Sequence, residues 1–495
     1  MIRPFLAGIC ILSGLIAVWG HRFPPLQDYP IWLYEAHLYE GGQNAGAVPA
    51  PFPVPNSANT AIIAALIPWL GAETAGRVFL TLILLVLGIG TLALLRAFRA
   101  GPESWPVLLM IPGLFFFCGN LNYVLGLGLL YGGMAYLAGR NAEAPPSAVL
   151  LGLLSVALFF CHGLVLGAWF VFGAGYLLRV TPRTRMQVFL GQLPTLALGI
   201  WTALQWKAPV TVAPREHVAW SFGLWLRSKL TTGIHAMAPF HSFDSLVEPA
   251  PETMAAAAAN AVAVALITVP ALGGLLRIVG NRGPSRWLLL PAAVWSAAFL
   301  AIPSYFLGVH NVGQRFLPPL VLLLAANARL PRVAPWIGAA AALGAFALLG
   351  YSALEVSRVG EELEETHAVL GHLDDGDGDL VDAVLFDFTG VESPRRRPLP
   401  ERVLVPRHRT LGRVHYYRKI AAGKRAPIWG TGILRERPGE FPIVASKAKI
   451  LERAPSEVLC VIGPEENRRI IAGALVSRYR IAKQAHPVTI LMPLR

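Results

Sequence analysis

Long apolar runs separated by short polar turns fill most of the chain, from Phe5 to Tyr351. A run of about 20 predominantly apolar residues is long enough to cross the hydrocarbon core of a bilayer as a helix. On this criterion the pattern predicts about eleven spanning helices. They lie near residues 4–20, 74–96, 104–118, 121–138, 147–161, 163–180, 186–204, 254–276, 286–302, 313–328 and 333–351.

One further apolar run, residues 57–70, is predicted to lie on the membrane surface. It is short for a spanning helix, and the next predicted span begins only a few residues after it. Runs of this length more often lie in the membrane interface than across it. The choice matters, because counting this run as a span would invert the orientation of every later segment.

The distribution of charged residues changes abruptly near Glu355. Hydrophobic residues make up 55% of the chain and charged residues only 14%, but charged residues become frequent after this point. A predicted helix from Glu355 to Leu373 is followed by strand-like runs at 383–388, 402–405 and 458–462. The fold predicted is therefore an α-helical integral membrane domain over residues 1–354 with a small soluble α/β domain over residues 355–495.

Arginine residues occupy alternate loops between the predicted spans. They are Arg96, Arg99, Arg140, Arg179, Arg183, Arg185, Arg277, Arg282, Arg286, Arg329 and Arg332. Because loops rich in Lys and Arg stay in the cytoplasm, this pattern predicts a cytoplasmic N-terminus and outer loops at residues 21–56 and 205–252. An odd number of spans then places the C-terminal domain outside the cytoplasm.

The net charge and the cysteines exclude several classes of protein. The formal charge is +13, but the basic residues of the membrane region flank apolar runs, so we expect no nucleic-acid partner. The four cysteines show no CxxC spacing, which argues against a zinc knuckle or a disulfide framework. The segment after the first apolar run, His21-Arg22-Phe23, is a poor cleavage site, so that run is interpreted as an uncleaved helix.

Ionisable and amide side chains within the membrane region cluster at the outer ends of the predicted spans. Such groups are costly at membrane depth and usually line cavities, so their clustering predicts a site open to the outer leaflet. The candidates are Asp28, Glu35, His37, Asn120, Asn122, His162, His310, Asn311, Gln314 and Arg315.

These residues also have structural interpretations, which the sequence leaves open. Asp28 could cap a surface helix at residues 30–40. Asn120 and Asn122 are common turn formers, and Arg315 could anchor a helix end to lipid headgroups. Only the convergence of these groups on one face favours a functional site.

A dedicated metal site is not predicted. His235, His241 and Asp244 are near one another in sequence, but their spacing matches no established metal-binding motif. No cofactor is expected with certainty, and the involvement of a divalent metal is left open.

Several segments resemble the GT-C class of membrane glycosyltransferases, which use polyprenyl-phosphate sugars, and in particular bacterial protein mannosyltransferases and aminoarabinose transferases. The likeness covers most of the membrane region, where an early helix is followed by an outer loop with an acidic residue and then by a surface helix. The segments are Pro24–Pro30, Pro55–Asn59, Gly71–Arg77, Gly119–Tyr123, Cys161–Gly163 and Gly313–Pro318. A weaker similarity extends to His415–Tyr417 and Pro427–Trp429.

The resemblance implies transfer of a sugar from a polyprenyl-phosphate donor to an envelope glycan, lipid or protein. It also implies that the protein is embedded in the bacterial inner membrane, where it contacts membrane lipids. Asp28 would be the base and Arg315 the phosphate-binding cation, with the other candidates positioning substrate. The family often has an adjacent acidic pair where this chain has Asp28-Tyr29, so the second acidic role is left to Glu35. The alternatives are a transporter or flippase of a lipid-linked sugar and a non-catalytic assembly or sensing protein.

The predicted topology can be tested with fusions after Arg495. Alkaline phosphatase fused there should be active, because it matures outside the cytoplasm, and a fluorescent protein that fails to fold after export should stay dark. The opposite pattern would contradict both the number of spans and the outward position of the site.

Overall fold

The structure is a computed structural model. It describes residues 2–41, 48–49, 53–140, 145–205, 222–239, 251–280, 286–302, 305–306, 309–310, 312–330, 334–371, 382–385, 434–435, 459–462, 469, 472–473, 475–477, 479–485 and 488–494.

Helices make up most of this part of the chain. The α-helices are α1 (Ile2–Trp19), α2 (Tyr29–Glu40), α3 (Ala58–Leu70), α4 (Ala72–Ala97), α5 (Leu114–Phe117), α6 (Leu121–Ala138), α7 (Ala148–Cys161), α8 (Gly163–Leu177), α9 (Pro182–Gln205), α10 (Phe222–Met237), α11 (Pro251–Gly280), α12 (Leu289–Ala301), α13 (Leu317–Ala326) and α14 (Ala334–Gly371). Three 3₁₀ segments lie at Pro102–Met110, Arg286–Leu288 and Gly313–Phe316.

Five helices are long and apolar enough to cross a membrane: Ala72–Ala97, Leu121–Ala138, Pro182–Gln205, Ala258–Gly280 and Pro335–Ala368. The prediction of an α-helical membrane protein is therefore confirmed, whereas the count of eleven spans is not. The other predicted spans correspond to shorter apolar helices or to composite segments.

Four predicted elements differ in detail from the structure. The predicted span 104–118 is a 3₁₀ segment followed by the short α5, because Pro106 lacks the backbone N–H that a continuous α-helix needs. The predicted span 333–351 and the predicted helix 355–373 are one helix, α14. Within the predicted outer loop 205–252, α10 is a helix that packs against α5 and α13.

Helices α4 and α6 cross closely at glycines. A Cβ atom added at Gly128 would lie 2.7 Å from both the Leu87 nitrogen and the Val86 carbonyl carbon, and one added at Gly90 would overlap the Gly128 carbonyl oxygen. Small residues allow helix backbones in membranes to approach in this way, where van der Waals packing replaces the hydrophobic effect. This crossing holds the start of α6, and with it the turn before α6, against α4.

Two arginines of the alternate loops, Arg277 and Arg329, lie at the same end of the bundle as Arg3. Arg3 donates to the Ala100 carbonyl oxygen, Arg329 donates to that of Phe98 over 3.1 Å, and Arg277 donates to that of Asn327 over 3.1 Å. The segments between α1 and α2, between α5 and α6, and between α7 and α8 lie at the other end. Arg277 and Arg329 thus lie at the opposite end of the bundle from the candidate site.

The far end of α14 lies beside the segment that follows α1. The Arg22 backbone N–H donates to Glu364 over 3.0 Å, and the rings of Phe23 and His367 lie 4.7 Å apart. Glu364 and His367, which follow the predicted domain boundary at Glu355, therefore lie at the same end of the bundle as the candidate site.

The described strands form one four-stranded sheet and two short pairs. In the sheet, β4 (Asp382–Leu385) runs parallel to β6 (Leu459–Ile462), while β6 and β7 (Tyr479–Ala485) each pair antiparallel with β8 (Val488–Pro493). β1 (Val48–Pro49) pairs with β5 (Leu434–Arg435), and β2 (Tyr305–Phe306) pairs with β3 (Val309–His310). The predicted strands near 383–388 and 458–462 correspond to β4 and β6, whereas 402–405 lies outside the described residues.

The glycine crossing predicts a difference between two substitutions on α6. Gly128→Ala should destabilise the protein by about 1–3 kcal/mol, because the added methyl group forces α4 and α6 apart. Gly132→Ala is the control, since a Cβ atom at Gly132 meets nothing within 4 Å. Thermal unfolding of the two variants, purified in the same detergent, is the measurement. Equal melting temperatures would contradict the close crossing.

Candidate functional site

The start of α2 is docked on the turn between α5 and α6. The Gln27 backbone N–H donates to the Phe117 carbonyl oxygen over 2.9 Å, and the Trp32 indole N–H donates to the Gly119 carbonyl oxygen over 2.9 Å. Gly119 has a φ of +74°, and a Cβ atom added to it would lie 2.8 Å from the Cβ of Asp28. Only glycine suits this position, because it adopts positive φ freely and leaves room for the neighbouring chain. The turn therefore fixes the position of Asp28.

Asp28 precedes the first residue of α2 and is half-buried. Its side chain makes no capping hydrogen bond to the helix, and its φ and ψ of −96° and −5° differ from the extended conformation usual at a helix N-cap. Pro30 in the first turn supports the helix start instead, since its φ is already helical. The structural alternative for Asp28, a side-chain cap, is not what the structure shows.

Arg315 lies at the centre of the site, with only 7% of its surface exposed. Its Nη2 donates to Asn120 Oδ1 over 2.9 Å, and its Nη1 lies 2.6 Å from His162 Nε2. Its guanidinium lies 5.5 Å from the ring centre of Tyr123, and the Tyr123 hydroxyl donates to the Arg315 carbonyl oxygen over 2.6 Å. Two segments that are distant in sequence, the start of α6 and the turn between α7 and α8, thus surround the guanidinium group of Arg315.

His162 joins α7 to α8 and caps the start of α8. Its Nδ1 accepts the backbone N–H of Leu164 over 3.1 Å, and its ring meets that of Tyr123 edge-to-face at 5.4 Å. Burial, and after it the charge of Arg315, lowers the pKa of His162 well below its ordinary value. The imidazole is therefore neutral at neutral pH.

A second polar network connects α2, α3 and α6. Thr60 Oγ1 donates to Glu35 Oε2 over 2.8 Å, and the Thr60 backbone N–H donates to Asn59 Oδ1 over 2.7 Å. The Asn59 backbone N–H donates to Asn122 Oδ1 over 2.7 Å, while Asn122 Nδ2 donates to Asn59 Oδ1 over 2.7 Å and to the Asn56 carbonyl oxygen. The amide group of Asn122 therefore forms the hydrogen bonds that hold α3 against α6.

Asn56 links this network to the Arg315 cluster. It has a φ of +60°, which asparagine tolerates better than most residues. Its Oδ1 accepts the backbone N–H of Gly163 over 3.2 Å, one residue after His162. The position of the imidazole is thus coupled to the start of α3.

The structure brings most of the predicted residues together. Asn120, His162 and Arg315 form one cluster, with Asp28 against the Gly119 backbone beside Asn120. Glu35, which is fully buried, and Asn122 belong to the second network.

Two of the remaining predicted residues, His37 and Gln314, are not joined to either network in the described part of the chain. His37 is half-buried, and its Nδ1 has no partner among the described residues. Gln314 is 1% exposed, and neither atom of its amide has a partner in the described part of the chain. The backbone of His310 lies in β3, while its side chain, like Asn311, lies outside the described residues.

Several polar residues were not among the candidate site residues predicted from the sequence: Asn56, Asn59, Thr60, Tyr123 and Lys229. Asn56, Asn59 and Tyr123 lie in segments that carry the resemblance, but no role was assigned to them. Asn59 and Thr60 were detectable in principle, because they are polar positions at the start of the apolar run 57–70. Lys229 on α10 gave no such signal; it is buried and donates to the carbonyl oxygens of Phe299 and Ile302.

No group of three or more His, Cys, Asp or Glu side chains that could hold a metal ion occurs among the described residues. Of the three residues considered from the sequence, His235 lies in α10, whereas His241 and Asp244 lie outside the described part.

Comparisons with known proteins give one structural similarity. No protein-family model and no curated protein matches the chain. Among solved structures, the crystal structure of ArnT from Cupriavidus metallidurans bound to undecaprenyl phosphate is similar over 98% of this chain and 97% of that chain, at 10% sequence identity and a TM-score of 0.49. A likeness of this degree carries no argument about activity, which has to come from the side chains of the site.

The second network predicts that Asn122 has a larger effect on stability than another equally buried asparagine. Asn122→Ala removes the partner that Asn122 supplies to the Asn59 N–H and to the Asn56 carbonyl oxygen, at about 1–3 kcal/mol for each buried group that stays unsatisfied. Asn327→Ala is the matched control, because Asn327 is 5% exposed against 6% for Asn122 and its amide donates only to the Leu323 carbonyl oxygen. A larger fall in melting temperature for Asn122→Ala is expected, and equal falls would refute the role of this network.

Proposed function

We propose that the chain is a membrane glycosyltransferase that transfers a sugar from a polyprenyl-phosphate donor to a lipid, glycan or protein acceptor at the outer face of the membrane. The observation that carries this proposal is the buried Arg315 guanidinium, which Asn120 holds beside His162 and near the carboxylate-bearing loop of Asp28. An anion-binding group and a carboxylate are the two parts that such a transfer requires.

Arg315 stabilises the leaving phosphate. The transition state of glycosyl transfer resembles an oxocarbenium ion, and negative charge grows on the phosphate oxygen as the bond to the sugar breaks. A guanidinium group matches phosphate geometry, and in a buried site its charge is screened less than in water. Asn120 prevents the guanidinium from turning away, because its Oδ1 accepts from Nη2.

Asp28 is the base that removes the proton from the acceptor hydroxyl group. The Gly119 turn fixes its position relative to Asn120, and its carboxylate does not serve α2 as a cap. Direct attack of the acceptor on the sugar would invert the anomeric centre. Glu35 is fully buried and accepts from Thr60, so we assign it to the support of α2 and α3 rather than to a second acidic role.

The alternative proposal is a transporter or flippase of a lipid-linked sugar. In transporters of known type, substrate groups lie near the bilayer midplane, between repeated halves. Here the Arg315 cluster lies at helix ends, in the turns before α6, α8 and α13. This position favours chemistry at the membrane surface over passage through the bundle.

The role of Asp28 can be tested with an isosteric variant. Asp28→Asn removes the base and should lower transfer from a polyprenyl-phosphate sugar by roughly 10²–10⁴-fold, the usual contribution of a general base. Donor affinity and melting temperature should stay near those of the wild type, because the side chain keeps its size and caps no helix. The measurement is transfer of labelled sugar, with donor affinity recorded on the same preparations.

Arg315 provides the companion variant for this experiment. Arg315→Lys keeps a positive charge but loses the planar pair of N–H groups, so donor binding and turnover should fall together.

Near-normal transfer by Asp28→Asn would remove Asp28 from the mechanism. Bound donor without transfer by the wild-type protein, across glycan, lipid and protein acceptors, would instead favour the transporter.

A further inference from the structure

A groove of about 500 Å³ opens at the end of the bundle where Arg3 lies, opposite the candidate site. It lies between the start of α1, the last turns of α4 and the 3₁₀ segment at Pro102–Met110. Its volume is within the range of sites that bind small molecules, and the proposed reaction does not use it. The chemistry of its walls changes from apolar to positively charged along their length, and this change indicates which ligand the groove suits.

One wall of the groove is a single face of α4. Ile89, Leu92, Ala93 and Arg96 line it, and their spacing of three, four and seven residues places them on one side of a helix. α4 is one of the five helices long enough to cross a membrane, and Ile89 is 64% exposed on it. Because each helical residue adds about 1.5 Å of rise, the apolar part of this wall extends roughly 10 Å from Arg96. The wall therefore joins an apolar surface at membrane depth to a cation near the helix end.

The opposite wall carries a second guanidinium group and an aromatic ring. The Arg3 guanidinium lies 5.9 Å from the centre of the Trp105 ring and donates to the Ala100 carbonyl oxygen. Tryptophan is enriched at the level of the lipid headgroups, and arginine is common where a spanning helix leaves the membrane. The polar end of the groove therefore lies at the depth of the lipid phosphates.

The charge at this end of the groove is positive. Among the residues that the structure describes, no carboxylate lines the groove. Glu103 is close in sequence, but it is 2% exposed and accepts the backbone N–H of Leu330 over 3.3 Å. Arg96 is exposed and forms no ion pair within the described part of the chain. Its charge is thus left for a partner from outside these residues.

We propose that this groove binds an anionic phospholipid of the bilayer, with its phosphate between Arg3 and Arg96 and one acyl chain along the apolar face of α4. Basic pockets between spanning helices bind the headgroups of anionic lipids in this way. A zwitterionic phospholipid such as phosphatidylcholine fits less well, because its ammonium group would lie beside two guanidinium groups. The inference does not depend on the proposed function, since the groove and the Arg315 cluster lie at opposite ends of the bundle.

Arg96→Gln tests the charge of the groove, and Arg99→Gln is its matched control. Arg99 is exposed, lies three residues after Arg96 and does not line the groove. The affinity for phosphatidylglycerol should fall roughly 5-fold in Arg96→Gln, as expected for one basic residue at an anionic lipid, and stay at the wild-type value in Arg99→Gln. The measurement is native mass spectrometry of the full-length protein in detergent, titrated with phosphatidylglycerol. Equal falls in the two variants would show unspecific attraction and overturn the inference.

Ile89→Trp tests the apolar wall without a change of charge. The larger side chain should fill part of the groove and weaken the binding of phosphatidylglycerol at least as much as Arg96→Gln does. Leu82→Trp is the control, because Leu82 is 40% exposed on the same face of α4, two turns farther from Arg96, and does not line the groove. Wild-type affinity in Ile89→Trp would contradict the position of the acyl chain and overturn the inference.

Three other ligands decide what the groove recognises. Phosphatidylcholine should bind more weakly than phosphatidylglycerol and equally to the wild type and Arg96→Gln, and glycerol phosphate, which has no acyl chain, should not displace phosphatidylglycerol. The affinity for polyprenyl phosphate should be the same in the wild type and Arg96→Gln. Equal binding of the two phospholipids by the wild type, displacement by glycerol phosphate, or loss of polyprenyl phosphate binding in Arg96→Gln would each overturn the inference. They would respectively indicate unselective lipid contact, a site for a free phosphate, and a part of the donor site.

Discussion

The burial of one guanidinium group, that of Arg315, is the constraint on which the polar end of the bundle depends. A charge removed from water is costly unless its donors and its charge are compensated. Here an amide oxygen of Asn120 and the face of the Tyr123 ring supply that compensation. Because these two residues flank the start of α6, the position of the charge is tied to the position of one helix.

The surrounding turns serve to keep that helix start in place. The glycine crossing holds α6 against α4, and Gly119 lets the Asp28 loop approach the turn before α6. Asn122 fastens α3 to α6 through its amide, while Asn56 fastens the start of α3 to the start of α8. Each of these contacts joins segments far apart in the chain, so the site exists only when this whole end of the bundle is assembled.

Much of the fold could be predicted, because a helix that spans a membrane requires a long apolar run, which is easily recognised in a sequence. The bounds of α6 agree with the predicted span residue for residue, and the ends of α7 and the start of α8 follow closely. Prediction failed where local backbone chemistry competes with apolar length, as in the predicted span 104–118. There Pro106 lies within a 3₁₀ segment that ends at Met110, before the short α5. It was also wrong to separate the predicted span 333–351 from the predicted helix after Glu355. The two are one helix, α14, since nothing in a polar stretch obliges a helix to end.

The sequence alone predicted that this protein is helical and that most of its chain is apolar. It also predicted that loops rich in arginine alternate with loops that carry the candidate site residues. It also identified Asp28, Asn120, His162 and Arg315, because polar groups in apolar surroundings are rare enough to stand out. Only the tertiary structure decided how these residues are used: Asn122 and Glu35 in a supporting network, and His162 as both a helix cap and a neighbour of Arg315. The physical reason is that a hydrogen bond depends on distances of a few tenths of an ångström between turns remote in sequence, and a periodic pattern carries no information about such distances.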